Sequence, residues 1–372
     1  MHYPTPTTAR RPRTSNIAPS NIVTANIARS NIYTSNIITS NTAARALRIT
    51  LLLFVILLAS AASTVSARVG ANTQHAAQPG SASAFSGERA YGHVKKLVEF
   101  GPRPAGSKSL ALARRYITEH LPNFSLDKWT ADTPTGKVQM VNIISELRGE
   151  TDETIIIASH YDTKPFKDFK FVGANDGGSS TGVLMEIANV LASSREPRHF
   201  TYRFVFFDGE EAFCREWDEC GKPNAPDNTY GSRRYVAELL AHNQLKRVRA
   251  LILLDMIGYE KLELGRDDMS TPWLVDILWK TARENDYAKQ FVERAEEVGG
   301  DDHEPFLRAG VPSVDLIQLN TYPHWHTPED TLDKIAPFSL KAVGDVVLAA
   351  LPRVEEKLRA EGVTGKGERV KR

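Results

Sequence analysis

Cysteine is scarce in this chain: Cys214 and Cys220 are the only two among 372 residues. That excludes a small fold built on several disulfides, and the pair is not spaced as a zinc finger. A surplus of charge of either sign is also missing. Lys and Arg number 46 against 45 Asp and Glu, for a formal net charge of +1. A general nucleic-acid binder would show a basic excess, so none is expected as a partner. No phosphate-cradling loop occurs, because Gly177-Gly178 lacks the lysine that a P-loop needs. The apolar stretch Ile49–Ala62 is short for a spanning helix. What is present is an ordinary globular composition, 41% apolar, with length for one large α/β domain or two small ones.

The first 45 residues differ from the rest. Asn-Ile recurs every five residues from Asn16-Ile17 to Asn36-Ile37, and Asn41 keeps the phase. The tract has no core-forming pattern and its period is far below that of solenoid repeats. It reads as a disordered extension or as translated repetitive DNA upstream of the true start. Residues 46–67 read as a signal peptide: Arg45 and Arg48 precede the apolar stretch, and Val65-Ser66-Ala67 offers small residues for cleavage. The protein is expected to be exported, periplasmic or secreted, with an uncleaved signal anchor as the alternative. Beyond that signal no stable membrane partner is expected. Residues 68–84, rich in Ala, Gly, Ser and Gln, read as a linker, and 361–372 as a basic, frayed tail.

Between them, residues 85–360 read as a single catalytic domain in which helices and strands alternate. Helical spacing is expected at 86–100, from Ser107 or Ser109 to about 121, and at 181–191, 232–242, 271–285, 302–309 and 338–358. Strands are expected at 138–147, 154–159, 202–207, 250–254, 291–295 and 313–317. Several are nearly continuous apolar runs, such as Thr154-Ile-Ile-Ile-Ala-Ser159, which means an α/β sheet covered on both faces. In such sheets sites form at the carboxyl ends of strands. His160 and Asp162 follow one strand, Glu210-Glu211 the next and Asp255 another. Of these His160, Glu211 and Asp255, with Asp176 and His326, form a set of nitrogen and oxygen donors suited to zinc. Of two adjacent glutamates at a bend, one can bind a metal while the other handles protons.

The order His160-x-Asp162, Gly173-Ala-Asn-Asp176, Glu210-Glu211, Asp255 and His326-Thr327 resembles the zinc aminopeptidase superfamily. Within it, Phe206-Phe-Asp-Gly-Glu-Glu-Ala-Phe213, Asp301-Asp-His-Glu-Pro-Phe-Leu307 and Trp325-His-Thr327 are similar to animal-type glutaminyl-peptide cyclotransferases, over roughly 85–358. The resemblance implies a single α/β domain around a mixed twisted sheet, one zinc per chain and action on peptides or proteins that begin with glutamine; the chain is expected to be a monomer. Asp176, Glu211 and His326 would hold the zinc, and Glu210 would be the general acid/base. Asp255 and Asp301 would share its proton network. Trp217, Trp325 and Tyr322 would wall a pocket for the glutamine side chain. Two positions depart from the animal pattern: Gly300 stands in place of Gln, and Ser159 in place of a disulfide cysteine. In an exported protein Cys214 and Cys220 are expected to pair and to pin the loop after the glutamates.

Two other readings stay open on sequence. His160, Asp176, Glu211, Asp255 and His326 also fill the five ligand positions of a two-zinc aminopeptidase, His160 being a ligand only if a second zinc binds. A non-catalytic binding domain of the same fold is the other, since folds do not fix function.

Overall fold

The structure is a computed structural model that describes residues 84–369. The expected low-complexity tract, the signal peptide and all but the last residue of the linker lie outside the described residues. The described chain begins with helix α1 (Gly87–Glu99), whose N-terminus is capped by the Ser86 side chain accepting from the Arg89 N–H. Helix α2 (Lys108–Glu119) is capped in the same way by Ser107, which settles the choice between Ser107 and Ser109.

Six strands form the central sheet: β1 (Ser125–Thr133), β2 (Gly136–Leu147), β3 (Thr154–His160), β4 (Thr201–Phe207), and, after the two-residue strands β5 (Gly221–Lys222) and β6 (Ala225–Pro226), β7 (Val248–Leu254) and β10 (Ser313–Leu316). Their spatial order is β1-β2-β4-β3-β7-β10. β1–β2 and β2–β4 pair antiparallel; β4–β3, β3–β7 and β7–β10 pair parallel. The sheet is thus mixed, as the resemblance implied, and its parallel half aligns the ends of β3, β4 and β7 along one edge.

Alternating side chains of the parallel strands feed two cores. Ile155 and Ile157 of β3, with Phe204 and Phe206 of β4, face α1, α3 (Gly178–Ser193), α5 (Pro272–Glu284) and α7 (Pro337–Arg369). Ile156, Ala158, Val205 and Phe207 face α4 (Tyr230–Ala241) and Phe306 of the short helix α6 (Glu304–Arg308). Burial on both faces is why these strands read as unbroken apolar runs.

Of the strands without that signature, β9 was expected, at 291–295, but β1 and β8 were not visible in the sequence. β1 is an edge strand with only Ala131 buried, so no apolar alternation marks it. β8 (Leu264–Asp267) is four residues long and pairs parallel with β9 (Phe291–Glu296) outside the main sheet. The last helix also runs on past the expected end at Leu358, to Arg369.

Candidate active site

The loop after β4 turns at Gly209, whose φ of 72° suits glycine; a Cβ there would stand 2.8 Å from Met140 Sδ. The turn delivers Glu210 and Glu211 to the sheet edge, and Asp162 fixes them. Its two carboxylate oxygens accept the Glu210 N–H (3.2 Å) and the Glu211 N–H (3.4 Å). Asp176 lies just before α3. Gly177 follows it at φ 69°, where a Cβ would stand 2.7 Å from the Asp162 carbonyl and 2.9 Å from the His160 ring. His326 is held at φ 53°, in the left-handed region that a non-glycine residue seldom adopts.

These turns bring three of the expected ligands together. His326 Nε2 is 3.5 Å from Asp176 Oδ2 and 3.3 Å from Glu211 Oε2. One donor atom from each of the three lies within 4.8 Å of the others. Glu211 Oε1 accepts the Lys164 N–H at 3.1 Å, but Oε2 is buried with no hydrogen-bond partner. A buried carboxylate oxygen without a hydrogen bond, which faces an imidazole and a second carboxylate and has the Lys164 ammonium no nearer than 3.7 Å, fits a cation. Burial opposes charge on Glu211, yet His326 and Lys164 hold its carboxyl down at about 2. Burial and then the Glu211 charge push Asp176 up to about 7. A bound cation would favour ionised Asp176.

A second set adjoins the first. His160 Nε2 stands 3.1 Å from Asp255 Oδ1 and 3.2 Å from Asp176 Oδ1. Burial disfavours the imidazolium, but Asp255 and Glu210 outweigh it and raise its pKa well above the usual value. Glu210 Oε2 lies 3.7 Å from His160 Nδ1. Burial raises the Glu210 pKa well above the carboxylate range; nearby Glu211, Asp301 and Asp302 add to that while His160 opposes it. Asp301, pushed up to about 6 by burial and by Asp255, brings the third expected acid into the same electrostatic group.

The sequence reading missed what lies behind Asp301. His303 and Asp315 are fully buried and group with it, and His303 Nε2 is 3.3 Å from Asp267 Oδ2. Asp302 and Asp315 are raised well above the usual range, first by burial and then by Asp301. Asp330 was missed as well. It is 1% exposed, and its carboxylate accepts the N–H groups of Asn175 (2.8 Å) and Asp176 (3.1 Å), so it fixes the backbone of an expected ligand. A signal was available in its place four residues after His326, but only the fold shows what it faces.

A cavity of about 230 Å³ lies over these groups, lined by Asp176, Glu210, Glu211, Asp255, Asp301 and His326. Trp217 and Trp325 form part of its wall, and Trp325 stacks on the His326 ring with centroids 4.3 Å apart. Tyr322 is a correction: it is buried outside the cavity lining, and its hydroxyl donates to Asp330 Oδ1 at 2.7 Å. A disulfide joins Cys214 to Cys220 and closes the loop that carries Trp217.

The profile of Peptidase family M28 matches residues 142–351. Among similar proteins is a glutaminyl-peptide cyclotransferase of Drosophila melanogaster, 27% identical over 272 residues that cover 65% of this chain and 75% of that protein. Another, from Boiga dendrophila and of the same name, is 30% identical and covers 64% and 73%. The crystal structure of an Acidobacteriales bacterium glutaminyl cyclase is 35% identical, covers 76% of this chain and 99% of that one, and superimposes with a TM-score of 0.69.

Proposed function

We infer that this chain, which belongs to peptidase family M28, is a glutaminyl-peptide cyclotransferase: it closes the N-terminal glutamine of a peptide or protein into pyroglutamate and releases ammonia. The observation that carries this reading is the cavity of about 230 Å³, walled by Trp217 and Trp325 over the Asp176–Glu211–His326 group. It is smaller than the usual ~300–1,000 Å³ of a ligand pocket, a size that suits one side chain rather than a peptide.

In our proposal one zinc is held by Asp176, Glu211 and His326, a reading supported by their donor types and by the orphaned Glu211 oxygen. Zinc bound there supplies Lewis acidity toward the glutamine γ-carbonyl oxygen, where negative charge grows as the carbon becomes tetrahedral. Glu210 takes a proton from the substrate's α-amine, which must be neutral to attack, and returns one to the departing ammonia. Its raised pKa favours the second of these transfers. Asp301 acts on that proton electrostatically, helping to raise the Glu210 pKa, and Asp255 acts on Asp301 in the same way. Trp217 and Trp325 fold the side chain so that amine and γ-carbon meet within one molecule, and they keep bulk water from competing. Placement outside the cytoplasm belongs to the same proposal, supported by the export-like segment 46–67 and by the Cys214–Cys220 disulfide. A monomer is the simplest assembly for a site supplied by one chain.

The His160–Asp176–Asp255 group favours one other reading, a two-zinc aminopeptidase. The test pairs ammonia release from a glutaminyl peptide with cleavage of an aminoacyl chromogenic substrate, on metal-stripped protein titrated with zinc. Ammonia release that saturates near one zinc per chain, without cleavage, is expected. Cleavage that requires a second zinc would establish the peptidase instead.

A further inference from the structure

The small cavity raises the question of where the rest of the peptide lies. A separate groove of about 770 Å³ adjoins it, and the two share Trp217, Asp218 and Gly299 as lining. One side of the groove is a single face of α4: Arg233, Val236, Ala237 and Leu240, at the i, i+3, i+4, i+7 spacing of a helix stripe. The opposite side is α6, through Glu304, Pro305 and Arg308, and the disulfide-closed loop with its continuation forms the roof.

On one side of the passage, opposite Trp217 and Asp218, the chain offers only backbone. Gly299 and Gly300 have φ of 79° and 144°, and neither carries a side chain. A Cβ added to Gly300 would stand 3.6 Å from Glu304 Oε2 on the groove side and 3.7 Å from Trp217 Nε1 on the shared wall. Nothing lies within 4 Å of one added to Gly299. The groove is of mixed polarity. Glu304 pairs with Arg308 at 2.6 Å, and Arg233 donates to the carbonyls of Pro226 and Asn228. Asp218 and Lys222 also line it, so charges of both signs are present and the walls suit a peptide of varied sequence better than a polyanion.

Building on the cyclotransferase reading, we propose that this groove binds the residues that follow the N-terminal glutamine, entered over Gly299 and Gly300, so that the enzyme prefers extended peptides to dipeptides.

The test compares glutaminylglycine with a hexapeptide that begins with the same two residues. In the native enzyme the KM of the hexapeptide should be about tenfold lower, with kcat little changed, as added contacts outside the reacting group predict. Ala237 is exposed on the helix face, so Ala237→Trp fills the groove without disturbing the core. In that variant the ratio of the two KM values should fall close to one while the thermal midpoint holds, and Ala237→Ser should keep the native ratio. Equal KM values in the native enzyme, or a native ratio retained in Ala237→Trp, would overturn the groove but leave the cyclotransferase intact. No ammonia from either peptide would overturn both.

Discussion

Replacing Asp330 by Asn separates the support of the metal site from the site itself. Asp330 Oδ1 accepts from the Asn175 N–H at 2.8 Å and from the Tyr322 hydroxyl at 2.7 Å, while Oδ2 accepts the Asp176 N–H at 3.1 Å. An asparagine keeps one acceptor, which serves the first two donors. Its amide nitrogen then faces the Asp176 N–H, so a buried donor meets a donor. Losing a charge-assisted hydrogen bond and leaving that N–H unpaired costs about 2–4 kcal/mol. For a domain of this size that lowers Tm by about 5–10 °C. The loss falls on the backbone of a proposed ligand, so zinc affinity should drop about 10–100-fold, as for other groups that orient metal ligands. Competition with a chelating dye reads the affinity, and a thermal melt in chelator reads the metal-free stability. Tyr322→Phe removes one of the three donors and leaves no clash, so its effect on both should be smaller. Native zinc affinity in Asp330→Asn would refute the argument that Asp330 holds Asp176 in place.

Glu210→Gln should lower kcat by about 10²–10⁴-fold with zinc still bound at the native stoichiometry; loss of zinc would mean that the two glutamates have exchanged roles. Asp208, two residues before Glu210, gives a pH test read on stability and not on turnover. Burial and then Asp162 push it up to about 8, and its Oδ1 has no hydrogen-bond partner. The folded state therefore keeps a proton that the unfolded chain loses near pH 4, and the stability this contributes is lost as pH rises from about 4 to about 8. Asp208→Asn lacks that proton equilibrium, so its stability relative to native should rise over the same window in urea melts; a constant difference from pH 5 to 8 would contradict it. Removing the disulfide with Cys214→Ser and Cys220→Ser frees the loop bearing Trp217, so KM for glutaminyl peptides should rise several-fold with zinc affinity unchanged. An unaltered KM would show that the Asp227 and Asn228 hydrogen bonds to Cys214 and Trp217 suffice to hold the loop.

The sequence by itself determined the strands buried on both faces, because Ile155–Ala158 and Phe204–Phe207 carry no polar interruption. It also determined which residues end those strands. His160, Glu210, Glu211 and Asp255 sit one to four residues beyond an apolar run, and parallel pairing places the ends of such runs along one edge. Local order was enough to nominate Asp176 and His326 as well, through the turn chemistry around them. Tertiary structure alone decided the rest. β1 escaped notice because its inward face, Asp127, Trp129, Ala131 and Thr133, is only half-buried and half-polar, so the alternation is not one of apolar with polar residues. Tyr322 lies four residues before His326, yet its hydroxyl goes to Asp330 and not to the cavity, a direction that sequence distance does not encode. Asp330, His303 and Asp315 share buried polar contacts with residues far away in the chain. What such groups do is set by low-dielectric surroundings and by partners that only the fold supplies.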